Sequence, residues 1–163
     1  MTSFQPVSTN EQIQCVAILA NNIWYEHYVS IIGIDQVKYM VEKFQSENAI
    51  AEQLKDGYLY YLIQNNQENI GYLSIKKRAS SLFLSKIYLS KSHRSKGIGR
   101  SSMEYIEKQA RNLKCSSISL TVNKNNINSI KSYKKIGFIS LGPIVIDIGN
   151  GFIMDDYKME KVL

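Results

Sequence analysis

Strand, glycine-bearing loop and long helix follow one another without interruption in LFLSKIYL (82–89), SKSHRSKGIGR (90–100) and SSMEYIEKQARNL (101–113). This stretch constrains the chain more than any other. Arg94-Ser95-Lys96-Gly97-Ile98-Gly99 stands at the junction. A loop that wraps a diphosphate needs backbone N–H groups turned inward with no Cβ in the way, and Gly97 and Gly99 allow that approach. The helix starting there adds free N–H groups and the positive end of its dipole. Arg94, Lys96 and Arg100 add cationic donors. Two other phosphate loops do not fit: the Walker run G-x-x-x-x-G-K-[ST] is absent, and the dinucleotide fingerprint G-x-G-x-x-G lacks its third glycine.

The charge distribution agrees with an anionic ligand on the second half of the chain. Residues 1–75 hold three Lys against eight Asp/Glu, a net of −5, whereas residues 76–163 hold 17 Lys/Arg against six Asp/Glu, a net of +11. Charge alone does not choose between nucleic acid and a phosphorylated small molecule. Lys76, Lys77, Arg78 and Lys91 could track a phosphate backbone, but no helix-turn-helix, zinc-ligand or aromatic RNA-binding signature accompanies them. No nucleic-acid partner is expected.

At 163 residues the chain fits one domain spanning 1–163. No apolar run approaches a membrane span, and MTSFQPVSTNEQ lacks the basic and apolar regions of a signal peptide, so a cytoplasmic protein with no membrane partner is expected. Cys15 and Cys115 stand singly in apolar stretches, far from any histidine, and read as buried thiols; no metal site is expected.

Thr9 and Asn10 read as a helix cap. Ile13, Val16, Ala17, Ala20, Ile23 and Trp24 recur behind them at helical spacing, in a helix that ends before Gly33. Two short helices over 35–44 and 47–56 follow, the second capped by Ser46 and stopped at Gly57. YLYYLIQ, the turn NNQEN and IGYLSIKK read as a hairpin, and 82–89 as a third strand. Helix 97–113, strand 117–122 and helix 127–136 come next; two tail strands joined at Gly149-Asn150-Gly151 close the chain. The order αααβββαβαββ predicts an α/β fold, a mixed sheet with helices packed on it.

Arg94-x-x-Gly97-x-Gly99 between a strand and a long helix resembles the acetyl-CoA-binding signature of the GNAT superfamily of N-acetyltransferases, and the similarity covers nearly the whole chain. The resemblance implies the GNAT fold: a mixed, mostly antiparallel sheet with a splayed parallel strand pair and helices on both faces. It implies that acetyl-CoA is the co-substrate and that Arg94, Ser95, Lys96, Gly97, Ile98, Gly99 and Arg100 hold its diphosphate. Ile87, Tyr88 and Leu89 would lie along the pantetheine arm, with a backbone N–H near Leu89 as the oxyanion donor. A strand edge suits that task where two strands splay and leave N–H and C=O groups unpaired.

A second block, Asn126-x-x-Ser129-x-x-x-Tyr133-x-x-x-Gly137-Phe138, resembles the family's other conserved stretch, with Ser129 where alanine is more usual. Asn126 precedes the helix as an N-cap, and Tyr133 lies seven positions on, about two turns of ~3.6 residues. The resemblance implies that Asn126 contacts the pantetheine arm and that Tyr133 sits beside the sulfur. A phenol with a pKa of ~10 can protonate a leaving thiolate of ~8.5, so Tyr133 is the candidate general acid. Direct attack by the amine is expected, since neither cysteine is placed to form an acyl-enzyme.

The proton acceptor is harder to read. Where many relatives carry a glutamate on the strand before the loop, this chain has Ser85 and Lys86. Glu26, with His27, Asp155 and Asp156, are the remaining candidates, Glu26 being the first choice. The acidic first half favours a small cationic amine or polyamine as acceptor, and the tail is loosely similar to that of bacterial spermidine/spermine acetyltransferases. Two alternatives stay open: a protein or peptide N-acetyltransferase, and a GNAT-fold protein that binds acyl-CoA without catalysis. The apolar tail strands offer an edge through which a homodimer could form.

Overall fold

The computed structural model describes residues 1–163. Its elements run β1 (Thr2–Pro6), α1 (Asn10–His27), α2 (Val29–Ile32), α3 (Ile34–Gln45), α4 (Glu47–Lys55), β2 (Leu59–Asn65), β3 (Glu68–Arg78), β4 (Ser81–Leu89), a 3-10 turn (Lys91–His93), α5 (Ile98–Asn112), β5 (Ser117–Asn123), α6 (Ile127–Lys135), β6 (Ile139–Gly149) and β7 (Phe152–Val162). They group into two compact units. One comprises Met1–Lys76 and Ser85–Ile106, the other Lys77–Leu84 and Glu107–Leu163.

In the first unit the strands lie in the order β1-β2-β3-β4. β1 and β2 pair antiparallel, as do β2 and β3. Both faces are covered, and alternating side chains show it. Tyr60 bonds Gln53 of α4, while its neighbour Tyr61 packs edge-on against Tyr105 of α5 at 5.3 Å. A strand enclosed on both faces has no polar side to show, which is why YLYYLI reads as an unbroken apolar run.

Local chemistry starts the helices where the sequence places them. Thr9 and Gln12 form a reciprocal capping box at α1, and Ser46 Oγ accepts from the Ala49 N–H at the start of α4. Ile13, Val16, Ala20, Ile23 and Trp24 form the buried face of α1. The chain differs from the sequence reading in three places here. β1 is a strand where none was expected, and the first helix stops at His27, with α2 as a separate single turn before Gly33. Cys15 is half-buried rather than enclosed.

In the second unit the order is β4-β5-β7-β6. β4 and β5 are parallel, paired over Ser81–Phe83 and Ser117–Ser119 only, and the pairs β5–β7 and β6–β7 are antiparallel. Asn150 and Gly151 both adopt left-handed backbone, φ 54° and 78°, as the tight turn between β6 and β7 requires. This is the expected α/β architecture, a mixed sheet with one parallel pair. No helix is long and apolar enough to cross a membrane.

Candidate active site

β4 leaves the first unit's sheet at a close contact. A Cβ placed on Gly71 of β3 would lie 2.2 Å from the carbonyl oxygen of Tyr88 and 3.2 Å from Leu89 Cα, so only glycine lets β3 approach β4 at this point. The Ser90 N–H then donates to the Ile70 carbonyl at 2.9 Å, the last such bond before the chain turns away. Gly71 escaped the sequence reading, although a glycine inside an aromatic and β-branched strand is the signal for such an approach.

Side chains fix the loop that follows. His93 Nδ1 lies 2.8 Å from Ser90 Oγ and 3.1 Å from Ser92 Oγ, and the Arg94 Nε–H donates to the Leu89 carbonyl at 3.1 Å. Ser95 and Gly97 are left-handed, φ 61° and 78°, with Lys96 between them. Alternation of this kind turns consecutive N–H groups toward a common side and makes an anion-binding concavity. From Ser95 through Arg100 no backbone N–H donates to a backbone carbonyl; the next to do so is Ser101, to Gly97. A Cβ added at Gly97 or Gly99 would meet nothing within 4 Å. Six unspent amides, a helix start and open space above two glycines fit a diphosphate.

The side chains of β4 alternate. Ile87 and Leu89 are half-buried on one side, whereas Tyr88 joins a ring cluster on the other. Its centroid lies 5.6 Å from that of Trp24 and 5.4 Å from that of Tyr72, and Trp24 stacks on Tyr28 at 4.3 Å. Two residues earlier Lys86 is only 6% exposed. Its ammonium donates to the Phe44 carbonyl (2.6 Å), Gln53 Oε1 (3.0 Å) and the Tyr60 hydroxyl. Burial pulls its pKa down to about 7. Lys86 is therefore enclosed beneath α3 and α4. Glu26 is solvent-exposed on the last turn of α1, and His27 packs edge-on to Tyr28 at 4.7 Å.

In the second unit β5 runs past the end of its pairing with β4 and delivers the chain to α6. Asn126 is buried and holds the N-cap position: its carbonyl accepts from Ile130 at 3.1 Å. Its side chain makes no capping bond, contrary to the expected N-cap. The backbone there, φ −83° and ψ 65°, is not the extended conformation from which an asparagine reaches N2 or N3. Tyr133 is half-buried, its ring 5.6 Å from Phe138. No cluster of His, Cys, Asp or Glu could hold a metal ion.

The family model described as Acetyltransferase (GNAT) family matches residues 22–138. The chain belongs to this family. It is an acetyl-CoA-dependent N-acetyltransferase with the GNAT fold. Among solved structures, the acetyltransferase resembles a PaiA N-acetyltransferase from Thermoplasma acidophilum in complex with coenzyme A (TM-score 0.81, 20% identity, covering 100% of this chain and 99% of that one). It also resembles a GCN5-related N-acetyltransferase from Rhodopseudomonas palustris (0.83, 15%, 100% and 96%) and a ribosomal-protein-alanine N-acetyltransferase from Brucella melitensis (0.70, 20%, 99% and 99%). No curated protein sequence matches the acetyltransferase.

Proposed function

We propose that this acetyltransferase moves the acetyl group of acetyl-CoA to the primary amine of a small cation, a polyamine being the favoured acceptor, by direct attack in a ternary complex. The family match runs across both units, which supports their working as one catalytic domain. The observation that carries the cofactor half of this reading is the run of six amides without backbone acceptors from Ser95 to Arg100. Arg94, Lys96 and Arg100 supply charge to the diphosphate there, while Ile87, Tyr88 and Leu89 offer backbone to the pantetheine arm.

The amine's lone pair attacks the thioester carbonyl, and the adduct's oxyanion is held by a backbone N–H near Leu89. Collapse expels the thiolate. Tyr133 protonates it and recovers its own proton from solvent, and Asn126 contacts the arm. The acceptor half rests on the −5 charge of residues 1–75, which would raise the local concentration of a cation. Glu26, in open solvent, suits that steering role better than proton transfer.

The test is release of free coenzyme A thiol from acetyl-CoA with spermidine, ethanolamine, lysine and a tripeptide. Faster release with spermidine than with the others is expected. Release no faster than in buffer removes the polyamine, and a preference for the tripeptide favours a protein substrate instead. The same protein run on a sizing column reports whether it forms a homodimer.

A further inference from the structure

We infer that Asp156 is the proton acceptor for the attacking amine, its carboxylate held beside Thr121 at the end of β5 from which the Tyr133 helix also departs. The inference rests on the amine-acetylation reading above and adds the group which that reading lacks.

Asp156 is 4% exposed, yet no lysine, arginine or histidine lies within ion-pair distance of it. A buried carboxylate without a cation is expensive, and a fold that keeps one has a use for it. The neighbours are identifiable. Across the ladder Asp156 faces Asn123 on β5 and Ile144 on β6, and Thr121 on the same face of β5 donates to it. Asp155, next in the chain, is tied to Lys124 at 2.8 Å; Lys158, two residues on, points to the same face but is exposed. Burial raises the Asp156 carboxyl to about 6, opposed by the Thr121 bond and reinforced by the charge of Asp155. A proton acceptor working near neutral pH needs a value of this kind.

Sidedness points the same way. The β5–β7 register has no shift, so Tyr157, Met159 and Lys161 share one face and Asp156 the other. Lys161 pairs with Glu107 of α5, and a Cβ on Gly137, just after α6, would lie 3.3 Å from Lys161 Cε. α5 and the end of α6 therefore cover the face opposite Asp156. Beyond Ser119 the edge of β5 away from β7 has no partner strand within its unit. Asp156 thus lies across from Asn123, the last residue of β5, on the face opposite the helix that carries the proposed thiolate donor.

The protons balance. Neutral amine adds to the thioester carbon, giving an adduct with N⁺ and O⁻. Asp156 takes the proton from N⁺, directly or across one water, as the C–S bond breaks and Tyr133 gives a proton to sulfur. Amide and free thiol leave; Asp156 returns its proton to solvent and Tyr133 regains one.

The experiment is the pH profile of kcat/KM for wild type, Asp156→Asn and Thr121→Val, with acetyl-CoA and the fastest acceptor among the four amines above. Folding is checked by circular dichroism and by calorimetric binding of coenzyme A. Expressed per free amine, so that the acceptor's own ionisation near ~10 is removed, wild-type kcat/KM should fall on acidification with a midpoint near 6. Asp156→Asn should bind coenzyme A normally, lose about 100-fold or more in kcat/KM and lose that acid limb. Thr121→Val, which deletes the bond that lowers the pKa, should move the limb to higher pH; a residue that merely supports the fold would lower the rate without moving it. An unchanged acid limb in Asp156→Asn overturns the inference and leaves amine acetylation standing. If Asp156→Asn does not fold, an unshifted limb in Thr121→Val overturns it. Wild type inert toward all four amines sinks the acceptor reading itself, and the role of Asp156 with it.

Discussion

Lys86 on β4 donates to the carbonyl oxygen of Phe44, 2.6 Å away in the last turn of α3. The same oxygen accepts from Gln53 Nε2 at 3.0 Å, and Gln53 Oε1 accepts from both Lys86 and Tyr60. The negative end of the α3 dipole and three acceptors thus take the place of a carboxylate. This closed ring fastens the α3–α4 junction to the strand proposed to carry the pantetheine arm.

Stability should depend on pH through Lys86 in a defined direction. The folded protein releases this proton near 7, while an unfolded lysine keeps it to about 10.5. Below 7 both states are protonated and the full burial penalty applies; between 7 and 10.5 the unfolded chain binds more proton, so stability rises with pH. Urea unfolding at pH 6.5 and pH 9 should show the rise in wild type and its loss in Lys86→Met. That variant also removes one donor from the Phe44 carbonyl, Gln53 Oε1 and the Tyr60 hydroxyl, which keep their bonds through Gln53, at a cost on the order of 1 kcal/mol at pH 6.5.

Gly71→Ala should damage the strand from inside. With its Cβ 2.2 Å from the Tyr88 carbonyl oxygen, β3 or β4 must move, at a cost of roughly 1–3 kcal/mol. A lowered Tm together with weaker coenzyme A binding is expected. A lowered Tm with unchanged binding would separate this contact from the pantetheine arm.

The two loop glycines should respond in opposite ways. Gly97 has φ 78°, so Gly97→Ala strains the backbone by about 1–2 kcal/mol and lowers Tm. Gly99 lies in the first turn of α5, where alanine stabilises a helix by about 0.5–1 kcal/mol. Gly99→Ala should therefore raise Tm slightly while its methyl group, projecting into open space above the amides, weakens coenzyme A at least about tenfold, a difference of ~1.4 kcal/mol by calorimetry.

Tyr133→Phe should lower kcat by about 100-fold and leave coenzyme A affinity within a factor of two, because a general acid acts in the transition state and the ring contact with Phe138 persists. Unchanged turnover would remove Tyr133 from its role.

Much of this protein was legible in its residues because much of it is local. The cap at Ser46, the Asn150-Gly151 turn and the succession of strand, glycine loop and helix from 82 to 113 depend on a few neighbouring side chains and on backbone freedom, both of which a sequence records directly. Thr9 and Gln12 close their capping box within four residues. The features that escaped are those that distant segments create. β1 is short, polar and ends in Pro6; it exists because β2 offers it an edge, Thr2 against Asn65 and Pro6 against Tyr61. Gly71 matters only because Tyr88 arrives 17 positions later to touch it. Lys86 reads only as the residue in a glutamate's place and Asp156 only as one candidate acceptor among several, since nothing beside them in the chain announces burial. Their surroundings come from Phe44, Gln53 and Tyr60 in one case and from Thr121, Asn123 and Ile144 in the other. The sequence by itself pointed to the family and to most of the elements; the tertiary structure alone decided which charges are taken out of water, because desolvation belongs to the assembled neighbours and not to the residue.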